Sequence, residues 1–202
     1  MFRLIRNALM SLLVLTAVAG FIYPLVVTAV AQIVFPYRSN GSIIVKAGRP
    51  AGSALVGQEF VAPRYFWGRP SATSPYPYNG GSSSGSNLGP NNPDLIKAVQ
   101  ARIEVLRSAD PSNKQKIPVD LITASGSGLD PHISPAAAWY QTASVARIRG
   151  IDESRVRALV DVHTEGRQFG VFGEPRVNVL QLNLDLDELD KNKGPERISY
   201  EK

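Results

Sequence analysis

The sequence predicts a single N-terminal transmembrane helix followed by one mixed α/β domain, which the charge distribution places outside the cytoplasm. Three observations carry this. Residues 8–35 are almost wholly apolar, and no Asp, Glu, Lys, Arg or His lies between Asn7 and Tyr37. No second run of about 18 apolar residues follows, so the chain alone cannot build a multi-span channel or transporter. Beyond the run, strand-like and helical patterns are mixed over a length that suits one domain, residues 38–202.

Residues 1–7 form the N-terminal flank and 8–35 the transmembrane helix. At about 1.5 Å per residue the helix exceeds the roughly 30 Å hydrocarbon core, so it spans with tilt or frayed ends. Pro24 has no N–H to give the carbonyl of Gly20, which predicts a kink there. Ser11, Thr16 and Thr28 can bond back to the backbone or to a partner helix. A cleaved signal peptide is the alternative, because Ala29-Val30-Ala31 fits a small-x-small site; the run is nearly twice the usual length of such a segment. Arg3 and Arg6 precede the run and only Arg38 follows closely, so the positive-inside rule places the N-terminus in the cytoplasm and the domain outside.

Average composition hides this division. The 202 residues are 44% hydrophobic with a net charge of +5, and the mean hydropathy is −0.07. Setting aside Arg3, Arg6 and Arg38 leaves 19 basic against 17 acidic residues, which is no footprint for nucleic acid. The absence of cysteine excludes a disulfide scaffold, a Cys-ligated metal site and thiol catalysis.

In the domain, 42–46 reads as a first strand and 54–60 as a weaker one. Residues 64–93 form a long irregular loop with six prolines in or beside it and a Gly/Ser/Asn-rich second half. Such loops are flexible linkers or ordered functional segments. Tyr65, Phe66, Trp67, Tyr76 and Tyr78 favour an ordered loop that docks on a partner. Leu95, Val99, Ile103 and Leu106 recur at helical spacing and predict a helix over 93–107, opened by Pro93-Asp94. Residues 118–124 read as a buried strand and 125–131 as a turn. Ser134 caps a helix with Pro135 at its first position, running to Arg149 and ended by Gly150. Asp152 caps the next, to His163. Residues 176–186 alternate well enough for a strand, with a helix beginning after Asn178 as the alternative. The charged tail from Asp187 is expected to fray.

The segment from Ser125 to His132 admits three readings. Ser125 or Ser127 with Asp130 and His132 suggests a serine hydrolase, yet a triad is normally assembled from separate segments, and no G-x-S-x-G elbow is present. Gly126 and Gly128 suggest an anion loop, without the lysine of a phosphate-binding motif. The third reading is a turn that feeds a capped helix. His163 and Glu165 are too few for a metal centre, and the run Asp185, Asp187, Glu188, Asp190 lacks the glycine of a calcium loop and reads as a solvated face.

Five strings in one order, the first of them the membrane helix, carry a resemblance. They are the anchor, the string from Phe66-Trp67-Gly68-Arg69-Pro70 to Ser71, Gly85-Ser86-Asn87-Leu88-Gly89-Pro90, the stretch from Leu121 to Pro135, and the stretch from Phe172 to Asn183. The chain resembles the C subunit of the bacterial potassium-transporting P-type ATPase, the Kdp complex, over nearly its whole length. The resemblance implies a non-catalytic accessory subunit of the bacterial inner membrane that assists assembly and activity. Its implied partners are a channel-like subunit that holds potassium, a P-type subunit that holds ATP, and a small membrane subunit. No metal or cofactor is implied on the chain itself. A catalytic-chaperone role would make Gln141 the nucleotide contact. An external domain cannot reach a nucleotide across about 30 Å of bilayer, so a structural or gating role at the outer channel mouth is preferred, with Tyr65, Phe66, Trp67, Arg69, Tyr76 and Tyr78 as partner contacts. The opposing reading is a membrane-anchored extracytoplasmic serine hydrolase using Ser127 and His132.

Overall fold

The structure is a computed structural model, described for residues 1–46 and 48–191. The chain divides into two compact units, Met1–Ser53 and a second that begins at Ala54.

The first unit is a helix and a hairpin. One continuous helix runs over Phe2–Val34, long and apolar enough to cross a membrane, with no side chain buried by the rest of the chain. It comprises α1 (Phe2–Ala17), a π turn (Val18–Ile22) and α2 (Tyr23–Val34). The π turn sits where Pro24 withholds its N–H from Gly20, so the widened turn is how the helix absorbs the proline. A single turn, α3 (Pro36–Ser39), follows. Gln32 and Asn40 exchange amide hydrogen bonds at 3.3 and 3.1 Å. Strands β1 (Ile43–Lys46) and β2 (Arg49–Ser53) then pair antiparallel, with a bulge between Ile44 and Val45. The strand expected at 42–46 is thus present. The one expected at 54–60 is absent, and its place is taken by β2, whose Arg-Pro-Ala-Gly-Ser has no β signature of its own. Pro50 and Gly52 are tolerated because the ladder has only two strands and is bulged.

Among the described residues the second unit holds four helices and a small sheet. The helices are α4 (Pro93–Ala109), α5 (Pro135–Arg149), α6 (Glu153–Val162) and α7 (Val179–Lys191). The strands are β3 (His132–Ile133), β4 (Thr164–Glu165) and β5 (Arg176–Asn178), in the order β3-β5-β4 and all antiparallel; α5 and α7 pack on this sheet. Helix α5 is central: it packs on α6 and β5 and buries Ala137, Ala138, Val145 and Ala146. Its caps are those the sequence predicts. Ser134 Oγ accepts from the Ala137 N–H at 3.1 Å, and Gly150 closes the end at φ 57°, a conformation suited to glycine. Asp152 caps α6 through the Ser154 N–H at 2.8 Å, and Asn92 caps α4 through the Asp94 N–H at 2.8 Å. The core comprises Phe66, Leu121, Ile133, Val156, Val160, Val177, Leu182 and Leu186 with their neighbours.

Two further expectations are corrected. Residues 118–124 are a 3-10 turn (Val119–Leu121), not a strand. The Val119 carbonyl accepts from the Ile122 and Thr123 N–H groups and from Thr123 Oγ1 at 2.8 Å. These local bonds take backbone groups that a ladder would need. Of 176–186, only Arg176–Asn178 is strand, and the rest is helix, the alternative stated above. Asn178 Oδ1 accepts from the Gln181 N–H at 3.1 Å and starts the helix. Val179, Leu182, Asn183 and Leu186 are all buried, which is helical spacing. The tail does not fray at Asp187: α7 continues to Lys191. The remainder of the expected tail lies outside the described residues.

Candidate functional site

The aromatic loop turns inward. Phe66 is fully buried and Trp67 is 6% exposed, both in the core. An extended segment entering a core needs partners for its N–H and C=O groups, and normally a neighbouring strand supplies them. Here two amide side chains do so. The Phe66 N–H donates to Asn183 Oδ1 at 2.9 Å and Asn183 Nδ2 donates to the Phe66 carbonyl at 2.9 Å. The Trp67 N–H donates to Gln141 Oε1 at 2.8 Å, and Gln141 Nε2 donates to the carbonyls of Trp67 and Ala137, each at 3.2 Å. Asn183 on α7 and Gln141 on α5 therefore grip consecutive peptides.

Basic residues complete the mounting. The Arg102 guanidinium lies 5.1 Å from the Trp67 ring centre and donates to the carbonyls of Leu121 and Gly68 at 3.1 and 3.3 Å. Arg149, whose side chain is 1% exposed, stacks over Tyr65 at 4.7 Å and donates to the Arg64 carbonyl at 2.6 Å. It also pairs with Asp187 and Asp190. Two members of the acidic run, Asp187 and Asp190, are thus counter-charges for a buried arginine, while Asp185 and Glu188 are exposed as a solvated face would have them; Tyr65 OH joins by donating to Asp187 at 3.2 Å.

The rest of the loop packs on the 125–131 turn. Ser71 Oγ donates to the Gly128 carbonyl at 2.7 Å, and the Ser84 N–H donates to the Ser127 carbonyl at 3.0 Å. The glycines allow this approach. A Cβ on Gly128, at φ +68°, would lie 2.5 Å from Thr73 Cγ2 and 2.7 Å from the Ser84 carbonyl oxygen; one on Gly85 would lie 2.7 Å from the Gly126 oxygen. Residues 64–93 are therefore a loop docked on its own domain, not a linker.

Tyr78 shows how tight the packing is. Its hydroxyl donates to the Arg69 carbonyl at 2.6 Å, and burial, countered by the Arg102 charge, pushes its pKa from 10.0 to about 12. The unfolded phenol ionises near 10 and the folded one near 12, so this contribution to stability is complete below pH 10 and disappears as the pH rises to 12. A phenolate absorbance titration should show one tyrosine ionising about two units late, and Tyr78→Phe should remove that step. A titration unchanged by the substitution would contradict the burial argument.

Beside the turn lies an open cleft of about 660 Å³ bordered by Arg69, Asp120, Asp130, His132 and Ser134. Arg69 donates to Asp130 at 3.3 Å and to the Ala124 carbonyl at 3.2 Å. Burial raises the Asp130 carboxyl, but the hydrogen bonds from His132 and the Arg69 charge outweigh it and hold the group below the usual range. Asp120 accepts from the Ser134 N–H at 2.7 Å. The structure brings Asp130 and His132 together, with His132 Nδ1 3.5 Å from the carboxylate. It does not bring a serine to them among the described hydrogen bonds. Ser125 Oγ accepts from the Gly128 N–H at 2.9 Å, and Ser127 Oγ from the Leu129 N–H at 3.1 Å. Both hydroxyls shape the turn. His163 meets Asp185 at 2.9 Å rather than Glu165, and among the described residues no three His, Asp or Glu side chains converge on a metal position.

The expected site residues are therefore redistributed. Gln141 is 8% exposed and borders a cavity of only about 30 Å³, room for a water rather than a nucleotide. Phe66 and Trp67 are core residues, correcting their placement on a partner surface. Tyr65, Arg69 and Tyr78 are mounting residues with partners in their own domain. Tyr76 alone of the aromatic set is strongly exposed, at 57%. Arg3 and Arg6 both lie in α1. Asn183, Arg102 and Arg149 were not singled out in the sequence, since a polar residue on a helix carries no sign of a peptide partner elsewhere in the chain.

Comparison with known proteins adds to this geometry. A family model described as "KdpC: K+-transporting ATPase, c chain" matches residues 5–188. The chain is 61% identical over 188 residues to the potassium-transporting ATPase KdpC subunit of Dechloromonas aromatica, covering 93% of this chain and 98% of that protein. It is 61% identical over 183 residues to the KdpC subunit of Sorangium cellulosum, covering 91% and 96%. With that of Methylococcus capsulatus it shares 60% over 184 residues, covering 91% and 97%.

Proposed function

Because the chain belongs to the KdpC family, the c chain of K+-transporting ATPases, we propose that it is an accessory subunit of an ATP-driven potassium import complex. The observation that carries this reading is a match spanning both the anchor and the domain, over residues 5–188. In the proposed arrangement α1 and α2 cross the inner membrane with Arg3 and Arg6 on the cytoplasmic side. The domain beyond them packs on the outer face of the channel-like, potassium-holding subunit and stabilises or gates ion entry. ATP is held by the P-type subunit, and a small membrane subunit completes the assembly.

A structural role is preferred to direct contact with ATP for two reasons. In this topology the domain and a cytoplasmic nucleotide are separated by about 30 Å of hydrocarbon. The Gln141 amide is also committed to the peptide of Trp67 and to the Ala137 carbonyl, so a nucleotide contact would need the core to open. An influence on ATP hydrolysis then acts as a coupling between separate sites. The hydrolase reading loses support because the hydroxyls of Ser125 and Ser127 serve the turn.

The test is affinity purification of the tagged full chain from membranes of cells that express the whole complex, with protease digestion of spheroplasts. The expected result is recovery of a channel-like subunit and a P-type ATPase, with the domain digested from outside. Recovery of neither partner would refute the accessory role. Protection of the domain in intact spheroplasts would reverse the topology and reopen direct nucleotide contact.

A further inference from the structure

With the aromatic loop turned inward, the most exposed apolar group among the described residues of the second unit lies elsewhere, at the tip of the β4–β5 hairpin. Phe169 is 93% exposed, Val171 68% and Phe172 65%. The tip is not loose. The Gln168 N–H donates to the Phe172 carbonyl at 2.8 Å and the Phe172 N–H returns a bond to Gln168 at 2.9 Å. Below it, Arg167 Nη2 donates to both carboxylate oxygens of Glu174 at 2.8 and 2.7 Å, and Arg176 pairs with Glu165 at 2.9 Å.

Phe169 has φ 53°, in the left-handed region that glycine or asparagine fills with less strain. A bulky aromatic ring held there, in water, by a bonded hairpin stabilises nothing in the domain. Such strain is typical of residues whose use lies outside their own fold. We propose that Phe169, Val171 and Phe172 form a preformed plug that seats in an apolar pocket on the outer face of the channel-like subunit. This rests on the accessory-subunit reading above.

Charge and rigidity favour a protein pocket over the lipid surface. Both arginines of the collar are matched by glutamates, so the tip offers no net positive charge to anionic headgroups, the usual complement to an inserting apolar loop. A fluid bilayer accepts apolar side chains in many arrangements and so requires no fixed one. A pocket gains from pre-organisation, and buried aromatic anchors carry most of the binding in protein interfaces.

The experiment uses the full chain co-expressed with its partner subunits. In F169N/F172T, Asn accepts the left-handed backbone and Thr suits the bridged position of Phe172. Recovery of the channel-like subunit in detergent should fall at least about tenfold, while the thermal midpoint of the tagged chain holds or rises. In a second arm, a photoreactive benzophenone replaces Phe169 in membranes, and an adduct with the channel-like subunit, identified by mass, is expected. Wild-type recovery by the double variant, or adducts with lipid or a second copy of this chain, would overturn the proposal. If the double variant unfolds, the photoadduct decides. If the unaltered chain recovers no partner, the accessory reading itself falls; if it does and the double variant does equally, only the plug falls.

Discussion

Asn183→Leu is expected to destabilise the domain by about 3–4 kcal/mol, although the substitution is close in size and adds apolar surface to a core position. Asn183 is 1% exposed and Phe66 is fully buried. Its amide both accepts from and donates to the Phe66 peptide, at 2.9 Å each way. Leucine leaves a buried N–H and a buried C=O with no partner, each costing about 1–3 kcal/mol. For a domain of this size the loss corresponds to a fall in midpoint of about 6–16 °C, readable by circular dichroism of the detergent-solubilised chain. Asn183→Asp keeps the acceptor and loses the donor, so it should also destabilise. A Leu variant melting within about 2 °C of wild type would show that the Phe66 peptide finds other partners.

Arg149→Met is the second large effect, expected at about 3–5 kcal/mol. The guanidinium is almost wholly enclosed, pairs with Asp187 and Asp190, donates to the Arg64 carbonyl and stacks on Tyr65. Removing it takes the enclosed counter-charge from two carboxylates that are only 34% and 22% exposed, leaving Asp187 with the Tyr65 hydroxyl and Asp190 with the half-exposed Arg64. The cost therefore reflects the charges left behind more than the pair's own strength. That makes a sharper test than the single change: Arg149→Met with Asp187→Asn and Asp190→Asn should recover most of the lost stability. A triple variant as unstable as the single one would show that stacking and the Arg64 contact matter more than the charge balance. Because the guanidinium is out of solvent, added salt should move the wild-type midpoint little.

These two residues also show where sequence reading stopped. Local chemistry was legible where it is self-contained. The apolar run marks the anchor, Pro24 marks its irregular turn, and Ser134, Gly150 and Asp152 mark helix ends through bonds to residues two to five positions away. Strand reading failed where local bonds or distant ones override the pattern. Residues 118–124 are largely apolar and include the β-branched Val119, Ile122 and Thr123, yet the Val119 carbonyl closes a local turn. Leucines alternate through 180–186, yet the Asn178 side chain starts a helix whose buried face runs through Val179, Leu182, Asn183 and Leu186.

By itself, the sequence determined the membrane helix, the helices α4, α5 and α6 with the caps of α5 and α6, and the family resemblance, because each is written in neighbouring residues or in ordered strings. Tertiary structure alone decided which way the aromatic residues face. Phe66 and Trp67 look like a surface for a partner until Asn183, 117 positions away, and Gln141, 74 positions away, are seen to hold their peptides inside. Phe169 and Phe172 look no different in the sequence, but their hairpin closes on itself with paired charges and leaves the rings in water. Periodicity and caps report the backbone's local path, whereas the inside and outside of a domain are set by partners that folding brings together from far along the chain.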